Sequence, residues 1–371
     1  MARFPNNDIV SLVGETPRYD LAESVGPDLQ LAELLRELPA GWADFGLGYG
    51  TAAGSAPLRQ AIAAAHGVSA DDVVVTVGGM HALFLLAFSL CDRGDEAVVA
   101  SPLFPLARNA LAAVGAEIRT LPFSFDAGYQ PDLDALRRLL SPRTRLVSLA
   151  SPQNPSGVAI PPGTLRDIVA VMRAQSPQAW LLVDETYREA AYGDDTIAPS
   201  GLEAGDRVIS VASLSKCHGA PGLRIGWAIV RDTALRAQLV TAKFNTVISC
   251  SPVDEALALH VLARREQILG ERRVHLQANL ALTADWVRRH AACIDWVRPD
   301  AGGLCCVRLK PAGFDDAAVD AFYAGLKQQG VRVAPGPWFG EQARVYRLGF
   351  GLLPAAELSQ ALDRVGVVLG G

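Results

Sequence analysis

Short strands that are apolar from end to end, separated by helix-forming stretches, recur through the middle of this chain and leave few folds open to it. VVVTV (73–77), EAVVAS (96–101), RLVSLA (145–150), WLLVDE (180–185), RVISVA (207–212) and RIGWAIV (224–230) are such segments. A strand without polar alternation is buried on both faces, so these segments imply a mainly parallel sheet flanked by helices. In sheets of that kind a ligand sits beyond the carboxyl ends of the strands.

The surrounding text completes an α/β fold with a second, smaller part. Residues 29–38 read as a short helix after an extended arm, and PLRQAIAAAHG reads as a helix stopped at Gly67. After Ser251 a long helical stretch runs into an α+β tail. The tail carries a strand at LCCVRL, a helix near Asp316 to Gln329, and strands around VRVAP and VYRLGF. A chain of 371 residues exceeds one compact core. The expected division is an N-terminal arm with part of the small domain over 1–40, a large domain over 41–255, and a linking helix with the small C-terminal domain over 256–371.

Composition narrows the function classes. The chain is 50% hydrophobic and 20% charged, with net charge −5 and no basic block of the kind that binds nucleic acid. No apolar run reaches a membrane span, and the opening residues lack a signal-peptide pattern. The six cysteines are scattered, none in a CxxC pair, which suits reduced thiols in the cytoplasm and no metal site. There are only four lysines, at 216, 243, 310 and 327, so lysine chemistry has few places to be.

One of them lies in SLSKCHGAPGLRIGW (213–227), just past a strand, with Ser213 and Ser215 before it and Arg224 eight residues on. A lysine that forms a Schiff base needs a site that lowers its pKa, and the hydroxyls and arginine suit a phosphate. Taken alone, a lysine such as Lys216 is more often a surface residue. Asp184, at the buried end of WLLVDE, needs a partner; a pyridinium N–H and a neighbouring loop both serve. Asn154 in SPQNPSG is also an ordinary turn residue. VTVGGM opens a helix directly after a strand, offering backbone N–H groups to an anion. GLGYG follows no strand and lacks dinucleotide-binding spacing.

In their order, GETP, GYGTAAGSAPLR, VTVGGMHAL, NPSG, DETY, SLSKCHGAPGLRIGW, APGPWFG and YRLGFG resemble the fold-type-I, pyridoxal-phosphate (PLP) aminotransferases of class I/II over nearly the whole chain. The resemblance implies PLP as cofactor, with Lys216 holding it and then moving protons. It implies Asp184 on the pyridine nitrogen, Asn154 and Tyr187 on the phenolic oxygen, and Phe104 stacked on the ring. Gly79 and Met80 (backbone), Ser213, Arg224 and, more weakly, Ser215 fall to the phosphate, with Tyr49 reaching it from the other subunit of a homodimer. Arg347, Gly14 and Asn154 fall to the substrate. The loop Gly78-Gly79-Met80 lacks the hydroxyl side chains of many relatives, so the cofactor leans on backbone groups, Ser213, Arg224 and Tyr49. His81 and His218 read as structural.

Transamination between an α-amino acid and a 2-oxo acid is the function expected. The stretch around Lys216, with SCSPVDEALA, is also similar to capreomycidine synthase-like enzymes, so elimination, cyclisation or oxidation of an amino acid on the same scaffold is the alternative. A PLP-sensing regulator is disfavoured, because such regulators carry a DNA-binding domain ahead of this part and the chain opens within the fold. No second arginine that would read a dicarboxylate side chain stands out, which weighs against aspartate or glutamate as donor.

Overall fold

A computed structural model of the chain describes residues 4–12, 17–36, 42–194 and 196–370. Its strands are β1 (Tyr19–Leu21), β2 (Val73–Val77), β3 (Glu96–Ser101), β4 (Glu117–Pro122), β5 (Thr144–Ala150), β6 (Trp180–Asp184), β7 (Val208–Ser213), β8 (Ile225–Ile229), β9 (Ile294–Val297), β10 (Leu304–Leu309), β11 (Val331–Pro335) and β12 (Val345–Gly349).

Seven strands form one sheet in the order β2-β8-β7-β6-β5-β3-β4. All neighbours in it are parallel except β8, which is antiparallel to β2 and β7. Successive strand residues face opposite sides, so Val98 joins one apolar layer with Leu149 and Ile168, while Val99 joins the other with Leu83 and Ile209. This two-sided burial explains the unbroken apolar runs in the sequence. The edge strand β4 is different: most of its residues are partly or fully exposed, so it lacks the run that marks the others and escapes a sequence reading.

The remaining strands form a second sheet, β1-β11-β12-β10-β9, in which only β1 and β11 are parallel. Helices Arg265–Arg289, Asp316–Gln328 and Ala355–Leu369 cover it through Leu276, Trp286, Phe322, Leu358 and Leu362. The arm thus contributes a strand to the sheet otherwise built by the tail. The helix expected over 29–38 is described over Leu31–Arg36. Among the described residues, no helix is long and apolar enough to cross a membrane.

The order of the large sheet positions the site. β5, β6 and β7 are adjacent and parallel, with Ala150 paired to Asp184 and Asp184 to Val211. The loops bearing Asn154, Asp184–Tyr187 and Ser213–Lys216 therefore emerge side by side. β2 runs the same way as β7, so the helix Gly78–Leu90 begins at the same end.

Candidate active site

A cavity of about 480 Å³ opens where these loops meet the second sheet. Gly79, Met80, Phe104, Asn154, Asp184, Tyr187, Ser213, Ser215, Lys216, Arg224 and Arg347 all line it. Tyr49 does not line the cavity of its own chain; it is 85% exposed. Gly14, and Glu15 beside it, lie outside the described residues.

Lys216 Nζ donates to Ser24 Oγ at 3.4 Å, and the Tyr187 hydroxyl donates to the same oxygen at 2.8 Å. Asn154 Nδ2 reaches the Tyr187 oxygen at 3.4 Å. Burial pulls the Lys216 amine down from 10.5 to about 8; nearby Glu23 opposes the shift and Arg347 adds to it. Such an amine is a usable base near neutral pH. Burial pushes the Tyr187 phenol up to about 12, keeping it a proton donor.

Asp184 Oδ1 accepts from the Thr186 backbone N–H at 3.0 Å, and burial raises its pKa above the ordinary carboxylate value. A carboxyl in that position gains from a cationic N–H partner, which would hold it ionised. At the opposite wall, Arg347 is 1% exposed. Its Nη1 donates to Asn154 Oδ1 at 2.8 Å, its Nη2 donates to the Ala22 carbonyl, and its Nε has no partner among the described residues. The guanidinium lies 4.7 Å from the centre of the Phe339 ring.

Gly78 stands at the start of its helix with φ of +69°, and a Cβ there would lie 2.4 Å from Arg224 Nη2. The missing side chain lets the guanidinium rest on the helix N-terminus, where free N–H groups and the helix dipole favour an anion. Arg224 Nη1 donates to the Pro221 carbonyl at 2.8 Å, and the Ser215 N–H donates to Ser213 Oγ at 3.3 Å. The absence of a hydroxyl in the Gly-Gly-Met loop is therefore matched by a cradle only glycine leaves open. These residues fit a phosphorylated pyridine aldehyde: an anion cradle at one end, an unneutralised carboxyl at the other, and a lysine between.

His81 and His218 line no part of this cavity. His81 Nδ1 accepts from the Val77 N–H at 3.3 Å, and His218 is buried 3.4 Å from Glu189, held neutral by burial with a pKa near 4. Two polar cavity residues that lie outside the motifs are Glu23 and Ser24; Thr186 lies within DETY, where the resemblance gives it no role.

The fold and this cavity define a PLP enzyme of the aminotransferase type. Residues 20–365 match the family model "Aminotransferase class I and II". The chain is 34% identical over 325 residues to capreomycidine synthase of Streptomyces vinaceus, covering 86% of this chain and 80% of that protein. It is 30% identical over 337 residues to an arginine–pyruvate transaminase of Pseudomonas aeruginosa, covering 86% and 81%. A PLP-dependent aminotransferase from Streptococcus suis superposes with a TM-score of 0.90 at 26% identity, over 99% of this chain and 98% of that one. The chain belongs to the class I and II aminotransferase family and is a PLP-dependent transferase.

Proposed function

We propose that the protein moves the amino group of an α-amino acid to a 2-oxo acid. The observation that carries this reading is one cavity holding a lysine of lowered pKa, a buried carboxyl and two arginines at different walls. When bound, PLP supplies an aldehyde for the substrate amine and an electron sink for the charge left at Cα.

The chain's residues supply the rest. Gly79 and Met80 N–H groups, Ser213, Ser215 and Arg224 would hold the phosphate, joined by Tyr49 of a second subunit. Asp184 would accept from the ring N–H and keep it charged. Asn154 and Tyr187 would serve the phenolic oxygen, and Phe104 would contact the ring. Arg347 offers a planar fork to the α-carboxylate, turning Cα–H toward Lys216. The Lys216 amine would take that proton from Cα and hand it to the carbon that PLP contributes as its aldehyde. Ser24 holds the amine between those two tasks. The exposed Tyr49 and Leu47 favour a homodimer with shared sites, and six unpaired cysteines favour the cytoplasm.

The relationship to capreomycidine synthase favours a second reading, in which the same groups carry elimination, cyclisation or oxidation of an amino acid. Incubating the holoenzyme with each amino acid, with and without a 2-oxo acid, separates the two by product mass. Amino transfer requires the 2-oxo acid and yields its amino acid. Product formed without it would overturn the first reading and support the second.

A further inference from the structure

Among the described residues, five charged side chains line the cavity: Glu23, Asp184, Lys216, Arg224 and Arg347. The proposed chemistry uses all but Glu23. Glu23 follows Ala22, whose carbonyl accepts from Arg347. Its own carbonyl packs so closely on Gly349 that a Cβ there would lie 1.8 Å away. The backbone carrying this carboxylate is thereby fixed against β12, beside the arginine at the opposite wall.

Three cations among the described residues feel the charge of Glu23, and each has its hydrogen bonds elsewhere: Lys216 Nζ donates to Ser24 Oγ at 3.4 Å. Arg332 Nη2 pairs with Asp20 at 2.6 Å, and its Nη1 donates to the Ser11 carbonyl at 2.9 Å. Arg347 is held by Asn154 and Ala22. Asp20, three residues earlier in the chain, is buried and doubly occupied, by Arg332 and the Ala22 N–H. Glu23, in contrast, is partly exposed to the cavity and takes no hydrogen bond or ion pair from any described residue. Ile9, Val10, Leu12, Met80, Leu83 and Leu106 give the same cavity an apolar lining. An apolar lining with one unpaired carboxylate complements a side chain with a methylene stem and a positive end.

We propose that Glu23 reads the charge at the end of the substrate side chain, so that the preferred donor is an α-amino acid carrying a guanidinium or ammonium group. This rests on the reading of the cavity as an amino-acid site and adds the substrate class to it. Arginine and ornithine probe the two cations, citrulline is the neutral shape match for arginine, and norleucine supplies the stem alone.

The test compares kcat/KM for these four donors, and their equilibrium binding by calorimetry, in the wild-type holoenzyme and in Glu23→Gln. The amide conserves shape, and an unchanged PLP absorbance spectrum confirms that the site is intact. The wild type should favour arginine or ornithine over citrulline and norleucine by at least about tenfold. Glu23→Gln should lose about tenfold for the cationic donors and stay within about twofold for the neutral ones. A wild type that favours the neutral donors overturns the proposal. So does an equal loss for all four donors, which would place Glu23 on the α-ammonium that they share. If cationic donors bind in a Glu23-dependent way but no amino group reaches a 2-oxo acid, the transfer reading fails while the substrate class stands.

Discussion

Arg347 and Asn154 are hydrogen-bonded at 2.8 Å although they lie 193 residues apart in sequence. The buried bond ties β12 of the second sheet to the loop after β5 of the first, in the wall of the cavity. It also sets the plane of the guanidinium, with Ala22 fixing the other nitrogen. The side proposed for the substrate is thus joined to the side proposed for the cofactor through one pair of side chains.

Arg347→Ala should therefore weaken substrate more than cofactor. A hydrogen bond to a charged group contributes about 1.5–3 kcal/mol, so kcat/KM for amino acids should fall roughly 10- to 100-fold. The visible spectrum of bound PLP should persist, and discrimination between an amino acid and its decarboxylated amine should disappear. Unchanged preference for the carboxylate-bearing compound would remove Arg347 from this role.

Gly78→Ala should damage the cofactor cradle. A non-glycine residue in the left-handed region costs roughly 1–2 kcal/mol, and the added Cβ meets Arg224 directly. Lower thermal stability and a raised PLP dissociation constant are expected together. Equal PLP affinity in mutant and wild type would show that Arg224 does not need the space.

How far the sequence alone reaches can be seen by comparing Lys216 with Ser24. Lys216, Asp184 and Asn154 sit at the ends of apolar strands, where a parallel sheet must gather its loops, so position and chemistry are both legible. Ser24 meets Tyr187 across 163 residues of sequence. That contact exists because the short strand β1 pairs with β11, and nothing in YDLAES marks three residues as a strand. Glu23 is hidden for the same reason. β4 is missed because an edge strand with exposed side chains carries no apolar run. Burial read from pattern finds the floor of the site, while the wall supplied by the arm needs long-range pairing.

Asp184→Asn should fold and retain PLP but turn over slowly. The carboxylate can hold a proton on the ring nitrogen, and an amide cannot. Removing a preorganised charge from a catalytic site costs about 100-fold or more in kcat. Stopped-flow or steady-state rates matching the wild type would exclude the assignment.

Tyr49 gives the test of a shared site. Its side chain is exposed and off its own cavity, so it should serve a partner's. Mixing Tyr49→Ala with Lys216→Ala chains creates dimers in which one site has both residues intact. On random pairing, activity should recover to about a quarter of the wild-type level. Subunit exchange proven by native mass spectrometry without any recovery would count against sharing.

The Lys216 amine predicts a pH dependence with a definite sign. Its pKa falls from 10.5 in an unfolded chain to about 8 in the folded apoprotein, because the cavity wall disfavours the charge. Between these two values the unfolded chain binds more protons at this group than the folded one does. Stability from Lys216 therefore rises with pH across the window from about 8 to 10.5 and is flat outside it. Lys216→Met removes the charge at similar volume. In apoprotein the mutant should melt above the wild type at pH below 8, and the gap should close as pH rises through the window. Modification of the wild-type apoprotein at Lys216 by trinitrobenzenesulfonate reports the same free amine by a different route. Its rate, followed by peptide mass, should climb with a midpoint near 8. A midpoint near 10.5 would mean that the amine is solvated like any surface lysine, and the case for Lys216 as a base near neutral pH would fall with it.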